Sequence, residues 1–223
     1  MVALSALLIF VLILITDIFV LKAEKKRHPA FIKNFKIVDV DLFNKEGITI
    51  PVDTYVSKGH TYAEFIQDKT IKVGVDEFVS SSLGEIKVEK IAAKGTKVKV
   101  GDIVISANVG GNTINFSSPV EGVVKVVNDN LLGNIINDPY GKDWGLMITP
   151  NEFEKTKRSL KINEELAEWM KTELKRFKDY LYGSLNPELA GATMYDGGTI
   201  VKGAVAQLDN SAVTKFQKEF LSL

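Results

Sequence analysis

The side chains best suited to chemistry are scarce in this chain. None of its 223 residues is cysteine, which removes disulfides, thiol nucleophiles, iron–sulfur ligation and thiolate zinc sites together. His28 and His60 are the only imidazoles, so a three-histidine metal site cannot be built. The carboxylates show no alternating Asp/Asn run with the glycine that a calcium loop needs. Asp76 and Glu77 are neighbours at the start of an expected helix, where negative charge favours the dipole without any catalytic purpose. Gly110-Gly111 could aim backbone amides at an anion, but with no P-loop spacing and no helix behind it the pair suits a tight hairpin turn better. Asp196-Gly197-Gly198 likewise reads as a turn before it reads as a ligand site. No motif unites a nucleophile, a base and an orienting group. The expectation is a protein that is not an enzyme, with no catalytic residues, no metal ligands and no cofactor.

The elements carrying these residues fall into four stretches: 1–21, 22–50, 51–150 and 151–223. Between residues 2 and 21 the only strongly polar side chain is Asp17, and at a 1.5 Å rise per residue that length spans about 30 Å of hydrocarbon. A cleaved signal peptide would begin with a positive region and end in a small-residue cleavage site, and neither is evident. A single transmembrane helix is expected. Asp17 either reaches back to the interface near Lys22 or meets a polar group on a neighbouring membrane subunit. Lys22, Lys25, Lys26, Arg27, Lys33 and Lys36 crowd the C-terminal flank, so the positive-inside rule places the rest of the chain in the cytoplasm of a cell-membrane protein. Residues 22–50 read as a juxtamembrane linker with Phe31, Ile32 and Phe35 near a lipid surface, and a short strand is expected around residues 37–42. The 28 basic and 28 acidic residues balance, and no basic groove with interleaved aromatics invites nucleic acid.

From Tyr62 to Thr149 short strand-like pieces alternate with glycine turns, at 70–75, 85–91, 97–100, 103–107, 122–127 and 146–149. Asp76 can cap a short helix through Leu83, with Gly84 as a left-handed stop. Asn163 can cap a helix to about Tyr182 with Leu166, Met170, Leu174, Phe177 and Leu181 on one face, Trp169 beside them and Gly183 ending it. A last helix from about Asp209 puts Val213, Phe216, Phe220 and Leu223 on one side. The first stripe is expected to pack on its own domain before it docks a partner helix. A carrier-sized β domain needs one such stripe at most, so at least one of the two is expected to be a partner face.

The run Lys58-Gly59-His60-Thr61-Tyr62 resembles the opening of the glycine-cleavage H-protein family of lipoyl carriers. The similarity continues in order through VGVDEFVSSSLGEI (73–86), KGTKVKVGD (94–102), SSPVEGVV (117–124) and NDPYGKDWGLMI (137–148). The resemblance implies a barrel-sandwich hybrid, mainly β, here with a transmembrane helix before it and a helical extension after it. It implies that His60 is a hydrogen-bonded strand residue without a proton-transfer role. In that family a lysine at the tip of a protruding hairpin bears the lipoyl arm. Matching Gly101-Asp102 to Pro119 without a gap puts that position at Gly111, and no lysine occurs between Lys99 and Lys125. An amide-linked lipoyl or biotinyl arm needs a primary amine, so this tip is expected to carry neither.

These readings lead to a non-catalytic, non-lipoylated, membrane-anchored protein-binding or scaffold subunit, accessory to a membrane redox or respiratory complex. Its partners would be the lipid bilayer and other subunits of that complex. The alternative is a small-molecule or anion-binding module using the cleft beside the hairpin.

Overall fold

The computed structural model describes residues 35–38, 48–51, 54–66, 68–160, 164–184, 194–195, 199–200, 202–208 and 210–222. The chain divides into two compact units, Met1–Phe35 and Lys36–Leu223. Nearly all of the first lies outside the described residues, including the segment 2–21 read as a span, Asp17 and the basic flank as far as Lys33. Among the described residues no helix is long and apolar enough to cross a membrane.

The strands are β1 (Phe35–Val38), β2 (Ile48–Pro51), β3 (Thr54–Val56), β4 (Thr61–Phe65), β5 (Ile71–Val75), β6 (Lys87–Ile91), β7 (Lys97–Val98), β8 (Ile103–Val109), β9 (Asn112–Ser117), β10 (Gly122–Val127), β11 (Leu146–Pro150), β12 (Met194–Tyr195) and β13 (Thr199–Ile200). The helices are α1 (Glu77–Leu83), α2 (Phe153–Ser159), α3 (Glu164–Ser184) and α4 (Asn210–Phe220). A six-stranded sheet runs in the order β3-β4-β5-β11-β10-β7 and a three-stranded sheet in the order β6-β8-β9, with β1-β2 and β12-β13 as two-stranded ribbons. The fold is mainly β with a helical C-terminal part. Every strand read from the glycine-punctuated region between Tyr62 and Thr149 is present.

The local signals acted as their chemistry dictates. The Asp76 side chain accepts the Val79 amide proton at 2.9 Å and so caps α1. Gly84 stops the helix at φ +77, its N–H donating to the Ser80 carbonyl at 3.1 Å. A Cβ on Gly122 would sit 2.3 Å from the Thr149 carbonyl oxygen, so glycine is what lets β10 lie against β11.

Both C-terminal stripes fold back on the chain's own core. Met170, Leu174 and Phe177 are fully buried, and Leu166, Leu181, Val213, Phe216 and Phe220 are buried with them. The expectation of a partner face on one stripe is therefore corrected. It underestimated the apolar surface that α1 presents: the Phe78 ring lies 5.3, 6.4 and 6.0 Å from those of Phe177, Phe216 and Phe220. The core also takes in Ile48 and Ile50, from the segment read as linker. Two further departures are local. Helix α3 continues through Ser184, so Gly183 sits inside its last turn instead of ending it, and α2, which lacks a side-chain cap, had no sequence signal. The Asn163 cap and the Asp196-Gly197-Gly198 turn lie outside the described residues, although the ribbon β12-β13 flanks the latter.

Candidate functional site

Strands β8 and β9 form the hairpin whose tip the sequence singled out. They pair from Ile103↔Ser117 to Val109↔Asn112, leaving Gly110 and Gly111 as a two-residue turn. Their φ angles of +57° and +87° are those of a type I′ connection, which glycine enters without steric cost. The Gly111 N–H donates to Asn108 Oδ1 at 3.0 Å, so this amide is already engaged within the turn and is not aimed outward at an anion. That engagement fits the reading of Gly110-Gly111 as a turn and not as an anion nest. A Cβ at either glycine would meet nothing within 4 Å, so the tip stands free. Behind it the hairpin is held firmly. Ala107, Val109, Ile114 and Phe116 are buried, and the Asn115 N–H on the edge strand β9 donates to Gln217 Oε1 of α4 at 3.1 Å.

A second cluster unites residues that are distant in sequence. His60 lies in the turn before β4 at φ +57°, not in a strand as expected, and is fully buried. Its Nδ1 is 2.7 Å from Asp76 Oδ2 and its Nε2 is 3.7 Å from Glu173 Oε1, an ion-pair contact too long for a hydrogen bond. The ring stacks on Phe78 at 4.4 Å and leans on Trp169 at 5.3 Å. Arg176 closes the cluster, donating to both Glu173 oxygens at 2.6 and 2.7 Å and to the Glu219 carbonyl at 3.1 Å. Burial alone would lower the His60 pKa, but the charges and hydrogen bond of Asp76, with Glu173 behind them, raise it to about 9. For Glu173 burial works upward, and the contacts with His60 and Arg176 win and lower its pKa. The buried His60, Asp76 and Glu173 thus balance much of one another's charge, and the half-exposed Arg176 pairs with Glu173 from the surface.

The His60–Asp76 pair has the spacing of a base and its orienting carboxylate, but its burial denies a substrate any approach. Its task is to bind the turn, α1 and α3 together. Sequence reasoning assigned His60 a hydrogen bond and missed Glu173 and Arg176. The available signal was a glutamate inside an apolar stripe, three residues after Met170 and four before Phe177.

The family model described as glycine cleavage H-protein matches residues 54–173. The chain is 30% identical over 131 residues to the probable glycine cleavage system H protein of Pyrococcus abyssi, covering 57% of this chain and 92% of that protein. It is 35% identical over 95 residues to the glycine cleavage system H protein of Coprothermobacter proteolyticus, covering 41% of this chain and 75% of the relative. The crystal structure of a glycine cleavage system H protein from Mycobacterium marinum aligns with 46% of this chain and 87% of its own, at a TM-score of 0.43 and 21% identity. Relatives so named overturn the expectation of a scaffold subunit in a membrane redox or respiratory complex, and nothing among them favours the small-molecule or anion-binding alternative. With more than half of its length matched by that one model, and with relatives of the same name covered almost end to end, the chain belongs to the glycine cleavage H-protein family.

Proposed function

We propose that this chain is the H-type member of a glycine cleavage system, a protein that performs no catalysis itself and meets the enzymes of that system through its folded surface. Family membership supports the system. The observation that carries the finer reading is the Gly110-Gly111 turn, which leaves the hairpin tip without an amine, with Gly111 at the position of the family's lipoyl lysine. The contribution of this chain is then recognition of the enzymes, not carriage of an arm. Incubation with a lipoylating enzyme and lipoate, followed by intact-mass measurement, tests this: the wild-type mass stays unchanged, while Gly111→Lys gains one lipoyl group at the tip. A wild-type chain that gains a lipoyl group overturns the arm-free reading.

The placement of the protein in the cell is a separate proposal, resting on sequence alone. The apolar segment 2–21 and the lysine-rich flank after it support a single span with the folded part in the cytoplasm. Protease added to intact right-side-out spheroplasts then spares residues 54–160, and their digestion before lysis reverses the topology.

A further inference from the structure

The three-stranded sheet has two edges of opposite character. On one side β6 (KVEKI) carries Lys87, Glu89 and Lys90, and charges of this kind deter an edge from pairing with another chain. On the other side β9 (NTINFS) has neither a charge nor a proline. A strand of that length and composition adds readily to a like strand when its edge is open. The register shows which backbone groups lie along that edge. The Ser118 N–H donates to the Asp102 carbonyl at 2.8 Å and the Ser118 carbonyl accepts the Gly101 N–H at 3.0 Å, so this residue turns toward the chain that enters β8. The strand period of two then directs the backbone groups of Ser117, Asn115 and Thr113 away from β8. Two side chains of the same molecule occupy this edge. Thr61 Oγ1 donates to the Ser117 carbonyl at 2.8 Å, and the Asn115 N–H donates to Gln217 Oε1 at 3.1 Å. Thr61 belongs to β4, inside the stretch matched by the family model, whereas α4 lies wholly beyond residue 173, where that match ends. Phe216 and Phe220 seat α4 in the core and so hold Gln217 at the edge.

We propose that α4 is a guard on a self-complementary sheet edge: with α4 lifted, β9 pairs antiparallel with β9 of a second copy of this chain. The pairing is centred on Asn115, which then exchanges its N–H and carbonyl with Asn115 of the second copy in place of the bond to Gln217. Thr113 of each copy meets Ser117 of the other, because both lie two residues from the centre and turn their backbone groups the same way. No charge in either strand opposes the pair. The absence of cysteine makes the test direct, since a single introduced thiol reports the pairing. Residues that exchange both hydrogen bonds across an antiparallel pair stand about 5.5 Å apart at Cα, within disulfide reach. Full-length chains in mild detergent are oxidised, and the rate of dimer formation is read on non-reducing gels. Adding Phe220→Ala to Asn115→Cys empties an aromatic site under α4 and is expected to speed dimer formation at least about tenfold. Adding Gln217→Ala leaves the aromatic core intact and is expected to speed it several-fold, which decides the matter if Phe220→Ala fails to fold. The control is Leu132→Cys, 51% exposed in the loop that reaches the opposite edge through the Gly133 N–H to the Val88 carbonyl at 2.8 Å. There the same additions are expected to leave the rate unchanged. Dimer formation by Asn115→Cys that neither addition accelerates overturns the proposal, as does an acceleration that is equal for Leu132→Cys.

Discussion

His60 illustrates how one residue can hold a fold while mimicking a catalytic group. Its imidazolium is stabilised in the folded chain and would titrate near 6.5 once unfolded, while the folded value stands at about 9. The stabilisation is fully present below pH 6.5 and is lost as pH rises through 9. The difference corresponds to roughly 3 kcal/mol at about 1.4 kcal/mol per pKa unit. His60→Gln removes the charge and leaves Asp76 and Glu173 buried with Arg176 alone to balance them. The variant is expected to be about 3 kcal/mol less stable than wild type at pH 6, because breaking a buried ion pair strands its partner. By pH 9.5 the gap should have narrowed by most of that amount, as wild type loses its proton. Denaturant unfolding at both pH values measures this, and a gap that is the same at pH 6 and pH 9.5 would mean that His60 is neutral in the folded chain.

At the scale of elements, what the sequence disclosed was what local chemistry controls. Asp76 and Gly84 bound α1 because a cap and a left-handed stop act within one turn. Gly110 and Gly111 make the hairpin turn because two consecutive positive φ angles demand glycine there. The destination of the C-terminal stripes was not legible, since an apolar face declares that it must be covered without declaring by what. Here Phe78 supplies the cover from α1, and Tyr180 secures α4 by donating to the Ala212 carbonyl at 2.6 Å. Truncation after Thr149 would strip Phe177, Phe216 and Phe220 from Phe78 and leave His60 without Glu173. The truncated chain is accordingly expected to lose cooperative unfolding and near-ultraviolet dichroism. Phe220→Ala in the full-length chain should cost about 3–5 kcal/mol, the usual cost of an emptied aromatic site. A truncated chain that unfolds cooperatively at the wild-type midpoint would contradict the shared core.

Across the whole molecule, a carrier-type β fold and a helical extension share a single core, and the extension reaches the hairpin itself through Gln217. The family was legible because its motifs lie in short contiguous runs. The functional setting was misread because an apolar N-terminal segment says nothing of the system that the folded part serves. The tip without an amine and membership of the family together support the proposal that the chain engages glycine-cleavage enzymes without serving as their carrier. A reconstituted glycine cleavage reaction tests it most directly. Alone, the chain should support no turnover; added in excess to a reaction driven by a lipoylated H protein, it should slow turnover by competing for the enzymes. Turnover sustained by this chain alone, or a rate left undisturbed by its excess, would contradict the account.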